Sequence, residues 1–298
     1  MRTLKTRILS WLLTAALLLA LLPGAVFAAR RTIYTNMDYK GASDGSASKP
    51  YANFEDAVKN AADGDTIVIQ GKAYANARED AGTTPLIIDR QVTITGENGA
   101  TGALHIRAGG IILGADVTMT NVELNLANKY HNAIFANGYA FAANNVTRGS
   151  GSREVRLFAG GIGANTQVTA VLPASGNHAV LTLTDSTFGS IYAGGVATGY
   201  TDDVMITAGG CQLGGVYASG AEEREPDGNW FDTTEPPAPV ADQQYAVTGA
   251  VSITSHDDRS ITAVNTMGCE AVSFTANNPA ESRVLTLTGV KTLTETAA

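Results

Sequence analysis

The chain has 298 residues and a formal net charge of −8 at pH 7; 44% of its residues are hydrophobic and 16% are charged. This length suffices for one large β-domain, and the acidic balance argues against nucleic acid and anionic membrane surfaces as partners. Abundant Gly, Ala, Thr and Val with few aromatic residues is a composition typical of strands and turns.

The first 28 residues have the features of an export signal. Arg2, Lys5 and Arg7 precede an apolar stretch over residues 8–22, and the small residues near Ala28 suit signal peptidase. Residues 1–28 are therefore predicted to be removed, so that the mature protein is secreted or bound at the cell surface and has no stable membrane span. The alternative is retention as an anchor, although the stretch is short for a span of about 20 residues.

Short alternating runs that end in a turn residue recur along the chain. The first four turn residues, Gly71, Gly96, Asn121 and Asn145, advance by 25, 25 and 24 positions, and later steps are near 24 or near 40. Strands too short to bury a face alone, repeated at this period, indicate a parallel β-helix whose turn residues stack at one corner, with Asp185 and Gly249 as further members. The runs are 67–71, 92–96, 117–121, 141–145, 181–185, 204–208, 245–249 and 285–289.

A second series of short apolar runs falls in the gaps of the first series. Each coil of a β-helix needs another strand after its turn, so this interleaving supports the same architecture. The runs are 86–88, 104–106, 134–136, 157–159, 191–193, 216–218 and 261–263.

Residues 41–74 carry several features in a fixed order. Asp44-Gly45 and Pro50-Tyr51 precede an amphipathic helix over 53–62 and then a strand start, Gly64-Asp65-Thr66-Ile67; the helix has one apolar face formed by Phe54, Ala57, Val58 and Ala61. This stretch resembles the opening of secreted bacterial pectate-lyase-like proteins. The resemblance implies an all-β fold, a right-handed single-stranded parallel β-helix over 66–298, with residues 29–65 as an N-terminal cap. It also implies that the strand within 62–71 is the first of the helix.

The resemblance assigns the second series to the sheet on which family members bind saccharides. It assigns the turn residues to the corner between the two other sheets of that family. Because side chains alternate along a strand, the middle residue of each run is predicted to point outward and its leading residue inward. The inward residues are Leu86, Leu104, Ile134, Leu157, Ile191, Val216 and Ile261. The outward residues are Ile87, His105, Phe135, Phe158, Tyr192, Tyr217 and Thr262.

Four consecutive outward aromatic residues predict a flat strip on which sugar rings can stack. The alternative is that the rings stack on one another under an insertion. Insertions at 162–178, 196–203 and 220–244 would form an acidic wall beside the strip, and the last contains Trp230, either in a mobile loop or closing over a bound sugar. The predicted ligand-binding residues are Phe135, Phe158, Tyr192, Tyr217 and Trp230.

Catalytic patterns are sparse. A lyase of this superfamily needs a Lys or Arg base beside calcium-binding carboxylates, yet Arg107 and Arg156 have no acidic cluster on neighbouring coils. Asp202 and Asp203 are predicted to be solvated loop charges, and the residues His105, His131, His178 and His256 lie on different coils. The sequence predicts no catalytic residue, metal site or cofactor. Cys211 and Cys269 are expected either to form a disulfide or to pack as thiols.

These patterns predict a noncatalytic extracellular carbohydrate-binding or adhesion module whose partner is a polysaccharide or a cell-surface glycan. The acidic wall favours a neutral glycan. The alternative is a polysaccharide lyase or glycoside hydrolase of the pectin-lyase-like superfamily. The sequence stops soon after a strand repeat, which predicts either further domains of a longer surface protein or a partner covering the last coil.

Overall fold

The computed structural model describes residues 30–75, 85–106, 110–126, 133–150, 152, 154–163, 176–221, 245–257, 259–276 and 286–289. The chain separates into two units, Met1–Arg31 and Thr32–Ala298, and every element below belongs to the second. The elements are β1 (Thr32–Thr35), α1 (Phe54–Asn60), β2 (Thr66–Ile69), β3 (Lys72–Ala75), β4 (Leu86–Ile88), β5 (Val92–Gly96), a 3-10 turn (Glu97–Gly99), β6 (Gly102–Ile106), β7 (Ile111–Leu113), β8 (Val117–Leu126), β9 (Ala133–Phe135), β10 (Ala140–Arg148), β11 (Arg156–Phe158), β12 (Ala179–Thr184), β13 (Thr187–Tyr192), β14 (Val204–Gly209), β15 (Gln212–Tyr217), β16 (Val251–Ser255), β17 (Ala263–Asn265), β18 (Val272–Ala276) and β19 (Thr286–Thr288).

The strands form two parallel sheets. The first has the order β1-β2-β5-β8-β10-β12-β14-β16-β18, with β3 and β6 as a side ladder that joins β8. The second has the order β4-β7-β9-β11-β13-β15-β17-β19. The mostly β fold with parallel strands that the repeat period predicted is therefore confirmed.

One hydrophobic core receives side chains from both sheets. All seven residues that were predicted to point inward belong to it, from Leu86 to Ile261. The helix α1 also forms as predicted, with Phe54, Ala57 and Val58 buried, and it packs against β1 and β3. Within the described residues no helix has both the length and the apolar character needed to span a bilayer.

Asparagine sits where two long strands bend from the main path into the side ladder. Asn121 in β8 and Asn145 in β10 both have φ 53, and Asn145 Nδ2 donates to Asn121 Oδ1 at 2.8 Å. Asp185, next along the sheet, has φ 48. The predicted stacking of these three residues is confirmed, and it uses the tolerance of Asn and Asp for left-handed backbone.

Two glycines were wrongly placed at this corner. Gly71 lies two residues beyond the corner, since Ile69 and not Gly71 pairs with Gly96. Gly96 itself is in line with Asn121, because the residues before them, Thr95 and Thr120, are paired. Gly249 lies before β16, whose residues pair with β14. Val247, in the predicted run 245–249, makes isolated bridges to Tyr200 and Cys269 instead.

Other corrections concern which sheet a run joins. The first strand is β1, which pairs with β2, so residues 66–69 come second. The run 104–106 belongs to the side ladder beside β3. The place that was predicted for this run in the second sheet, between β4 and β9, is occupied by β7. The run 285–289 contributes β19 to the second sheet, not the first. An alternating Leu-Thr-Leu-Thr pattern suits either sheet, so periodicity alone does not choose between them.

Candidate functional site

Four aromatic rings stack on the outer face of the second sheet. Phe135, Phe158, Tyr192 and Tyr217, here called the aromatic ladder, are paired in register. Their ring centroids are 5.0, 4.7 and 4.9 Å apart, with interplanar angles of 16°, 8° and 13°. The predicted alignment is confirmed, but the neighbours differ. Ile112 pairs with Phe135 where His105 was expected, and Asn265 pairs with Tyr217 where Thr262 was expected.

The aromatic ladder is not an open strip. Phe135, Phe158 and Tyr192 are each 0% exposed, and Tyr217 is half-buried. The rings form a second apolar cluster, apart from the main core, and its other members are Ile112, Ala133, Ile162, Val196 and Ala221. The prediction of an exposed strip is wrong, because alternation tells which side of a sheet a residue faces and not what covers that side.

Three short segments cover the rings, and together they are here called the roof: residues 160–163, 194–197 and 219–221. Each follows a ladder residue in a repeated pattern of aromatic, Ala, Gly or Ser, Gly and an apolar residue, as in Phe158-Ala159-Gly160-Gly161-Ile162. Parallel bridges join Ile162 to Val196 and Val196 to Ala221. The chain therefore turns back after each ring and lays an apolar side chain over the aromatic ladder.

Glycine is required in the roof because neighbouring backbones nearly touch. A Cβ at Gly160 would lie 2.7 Å from Gly195 N, and one at Gly194 would lie 2.4 Å from Gly220 N. The sequence prediction of an open strip missed this cover. The signal that could have revealed it is the apolar residue that follows the small residues after each ring.

Polar groups lie close to the covered rings. Arg156 is 7% exposed, two positions before Phe158 on the same strand face. Tyr192 Oη is buried and makes no hydrogen bond of normal geometry, although the Ser190 hydroxyl is nearby. Burial raises the pKa of Tyr192, against the opposing effect of the Arg156 charge. The tyrosine therefore stays neutral at physiological pH.

The outer face of the first sheet carries an aligned row of threonines. Backbone pairing aligns one residue from each of nine neighbouring strands in a single row across the sheet. Eight of these nine residues are threonines, and the ninth is Ala142. None of the eight is buried. This set, here called the threonine row, consists of Thr32, Thr66, Thr93, Thr118, Thr182, Thr207, Thr254 and Thr275.

The rows on either side of the threonine row are also uncharged. One contains Thr95, Thr120, Asn144 and Thr184, and the other contains Ala140, Val180, Met205, Ser252 and Ser273. Met205 is 50% exposed. Although 16% of the chain is charged, none of the residues named in these three rows is Asp, Glu, Lys, Arg or His. The nearest such residues in line with the flanking rows are Asp116, just before β8, and His256, just after β16.

No family model, curated protein or solved structure matches this chain. The resemblance to pectate-lyase-like proteins therefore stays a prediction.

The remaining predicted site residues are dispersed or outside the described residues. Trp230, Arg107 and His131 fall outside them. Asp202 Oδ2 accepts from Gly176 N at 3.0 Å and Asp203 Oδ1 from Ala250 N at 2.8 Å. These two carboxylates hold neighbouring backbone segments, in addition to facing solvent as loop charges.

The cysteines are free thiols. Cys211 Sγ donates to Gly209 O at 3.3 Å and Cys269 Sγ to Gly249 O at 3.4 Å, and burial raises the pKa of both. A raised thiol pKa disfavours the reactive thiolate. Among the residues that the structure describes, no three His, Cys, Asp or Glu side chains are grouped to hold a metal ion.

An open cavity of about 610 Å³ lies at the end of β14, near Asp185, Cys211, His256 and Asp257. Asp257 Oδ1 accepts from Ser260 N at 2.6 Å and from Arg259 N at 2.8 Å, while Oδ2 accepts from Ser260 Oγ and Gly210 N. Burial raises the pKa of Asp257, but these hydrogen bonds outweigh it and lower the pKa to about 2. The carboxylate therefore joins the backbone at Gly210 to the backbone at Arg259 and Ser260.

Proposed function

We propose that the protein is a noncatalytic extracellular module that binds a neutral polymeric glycan, and that residues 66–298 form a right-handed parallel β-helix. The fold proposal is supported by the path of the chain, which passes from β2 to β3, then to β4 in the second sheet and back to β5 in the first. The extracellular location is supported by the signal-like features of residues 1–28.

The observation that carries the binding proposal is the set of three uncharged rows on the outer face of the first sheet, formed by the threonine row and the residues named on either side of it. A surface without charged groups offers nothing to pair with the carboxylates of a polyuronate, whereas hydroxyl groups both donate to and accept from the hydroxyls of a neutral sugar. The acidic balance of the whole chain further disfavours an anionic ligand.

Ligand binding by the aromatic ladder stays a prediction, and the burial of the rings sets a condition for such binding. Because the rings of Phe135, Phe158 and Tyr192 have no exposed surface, a sugar can stack on them only after the roof segments move. Separating those segments breaks backbone hydrogen bonds, including those from Val196 N to Gly161 O at 3.0 Å and from Ala221 N to Gly195 O at 2.9 Å.

The test is a binding and cleavage assay with the mature protein. Depletion from solution is measured on cellulose, chitin, xylan, mixed-linkage β-glucan, amylose and polygalacturonate, with and without calcium, and the supernatants are assayed for reducing ends and unsaturated products. We expect binding to at least one neutral polymer without cleavage, unaffected by moderate salt. Cleavage of any polymer refutes the noncatalytic proposal, and absence of binding to every neutral polymer refutes the glycan proposal.

A further inference from the structure

We infer that the threonine row is the glycan contact, and that its ligand is an extended, unbranched, β-linked neutral glycan lying across the strands. This inference rests on the proposed function and adds the surface and the shape of the ligand.

The spacing of the threonine row sets the shape of the ligand. Neighbouring strands of a sheet are about 4.8 Å apart, so the row presents one hydroxyl and one methyl group at each such step except at Ala142. An extended β-linked glycan advances by one sugar ring over a distance close to this step. Each sugar can therefore meet one threonine over several consecutive strands, whereas a coiled α-linked chain leaves the row after a few sugars.

The chemistry of the neighbouring row supports the same ligand. Val180 and Met205 stand beside Thr182 and Thr207, and the Met205 side chain is 50% exposed. Sugar rings have apolar C–H faces and polar hydroxyl edges, and binding sites for such ligands combine apolar surface with a few placed polar groups. The row on the other side is less regular, because Asn144 and Gly209 interrupt its threonines.

Aligned threonines also stabilise a sheet, since cross-strand pairs of β-branched residues pack well. Valine has nearly the same shape and β-propensity as threonine but no hydroxyl. The triple variant Thr182→Val/Thr207→Val/Thr254→Val therefore tests binding with little disturbance to the fold. The matched control is Thr187→Val/Thr262→Val/Thr286→Val, three threonines that are not buried and that lie in or beside strands of the second sheet.

The experiment measures binding isotherms of the full mature chain and both triple variants on the neutral polymers, with thermal unfolding as a check of the fold. We expect the first triple variant to lose about tenfold or more in affinity, because three hydrogen bonds are removed, and the control to stay within about twofold of the parent. We also expect cellulose, chitin or mixed-linkage β-glucan to bind more tightly than amylose.

A second variant covers the case in which the triple variant does not fold. Thr182 is exposed, so Thr182→Lys places a long charged side chain on the row without filling the core, and it should block binding. If the parent binds a glycan and the folded row variants bind it equally well, the inference is wrong while the proposed function stands. Equal loss of affinity in the control variant, or preference for amylose, also overturns it. If the parent binds no glycan, the proposed function itself fails.

The other possible occupant of this face is a second copy of the chain. Light scattering of the parent and of Thr182→Lys distinguishes the two. A parent dimer that dissociates in the variant, with glycan binding unchanged, contradicts the inference.

Discussion

Gly194 stands where the backbones of two roof segments approach each other closely. Its Cβ, if present, would lie 2.4 Å from Gly220 N and 2.6 Å from Gly220 Cα, and neither backbone atom can rotate away. We expect Gly194→Ala to lower the free energy of unfolding by about 1–3 kcal/mol through overpacking, measured by urea denaturation. Gly209→Ala is the control, because the nearest atom to its added Cβ would be His256 Cβ at 3.1 Å, farther away than either atom of Gly220. Equal stability of both variants would contradict the close approach.

Asp257 gives a prediction about pH. Its folded pKa of about 2 is below the usual 3.8, so its stabilising contribution is complete above about pH 5 and is lost as the pH falls through the folded pKa. We expect Asp257→Asn to destabilise the protein by about 1 kcal/mol at pH 7, a modest value because solvent screens the partly exposed carboxylate. The difference between the parent and the variant should shrink between about pH 4 and pH 2.

Urea denaturation at a series of pH values measures this difference. Asp89→Asn is the matched control, since the exposed Asp89 carboxylate pairs on the surface with its neighbour Arg90, at 3.1 Å. If the difference in unfolding free energy between the parent and Asp257→Asn stays constant down to pH 2, the hydrogen bonds do not hold the carboxylate in its ionised form.

At the scale of elements, the aromatic ladder and the roof act as a second core. Phe158 and Ile87 occupy equivalent outward positions of the second sheet, yet Phe158 is 0% exposed and Ile87 is 49% exposed. We expect Phe158→Ala to cost about 3–5 kcal/mol of unfolding free energy and Ile87→Ala within about 0.5 kcal/mol of the parent. Thermal and urea unfolding measure both. Similar small effects would mean that the roof does not cover Phe158 in solution.

The same elements show how far the sequence could predict the fold. Apolar and polar residues that alternate and are followed by a turn residue correctly predicted β5, β8 and β12, because a half-buried strand has a strict period of two. This pattern did not locate the roof, whose residues Ile162 and Val196 make single bridges too short for any period. The aromatic ladder was found as a row, but its burial depends on those distant bridges and not on the local pattern.

At the scale of the whole molecule, local stability should vary along the length of each sheet. Strands such as β10 and β12 are paired on both sides, whereas β18 ends the order of the first sheet and β19 that of the second. Three of the five residues in β18 are exposed, and Phe274 is only half-buried. In a stack of repeats each unit is stabilised by its neighbours, so opening should be easiest at an end.

Hydrogen–deuterium exchange read by mass spectrometry tests this gradient. We expect peptides covering β8, β10 and β12 to exchange slowest and those covering β18 and β19 fastest. Uniform protection from β8 to β19 would indicate that the ends are stabilised by contacts beyond the paired strands.

The roof also limits how such a protein can be redesigned. Removing or duplicating a strand of the second sheet alone would leave a ring without its cover or a cover without its ring, because Tyr192 and Val196 come from one continuous stretch. The smallest portable module is therefore the strand together with its glycine pair and the apolar residue after it. Foreign loops are best grafted beyond that residue, where the chain has already completed the cover and its length no longer affects the stack.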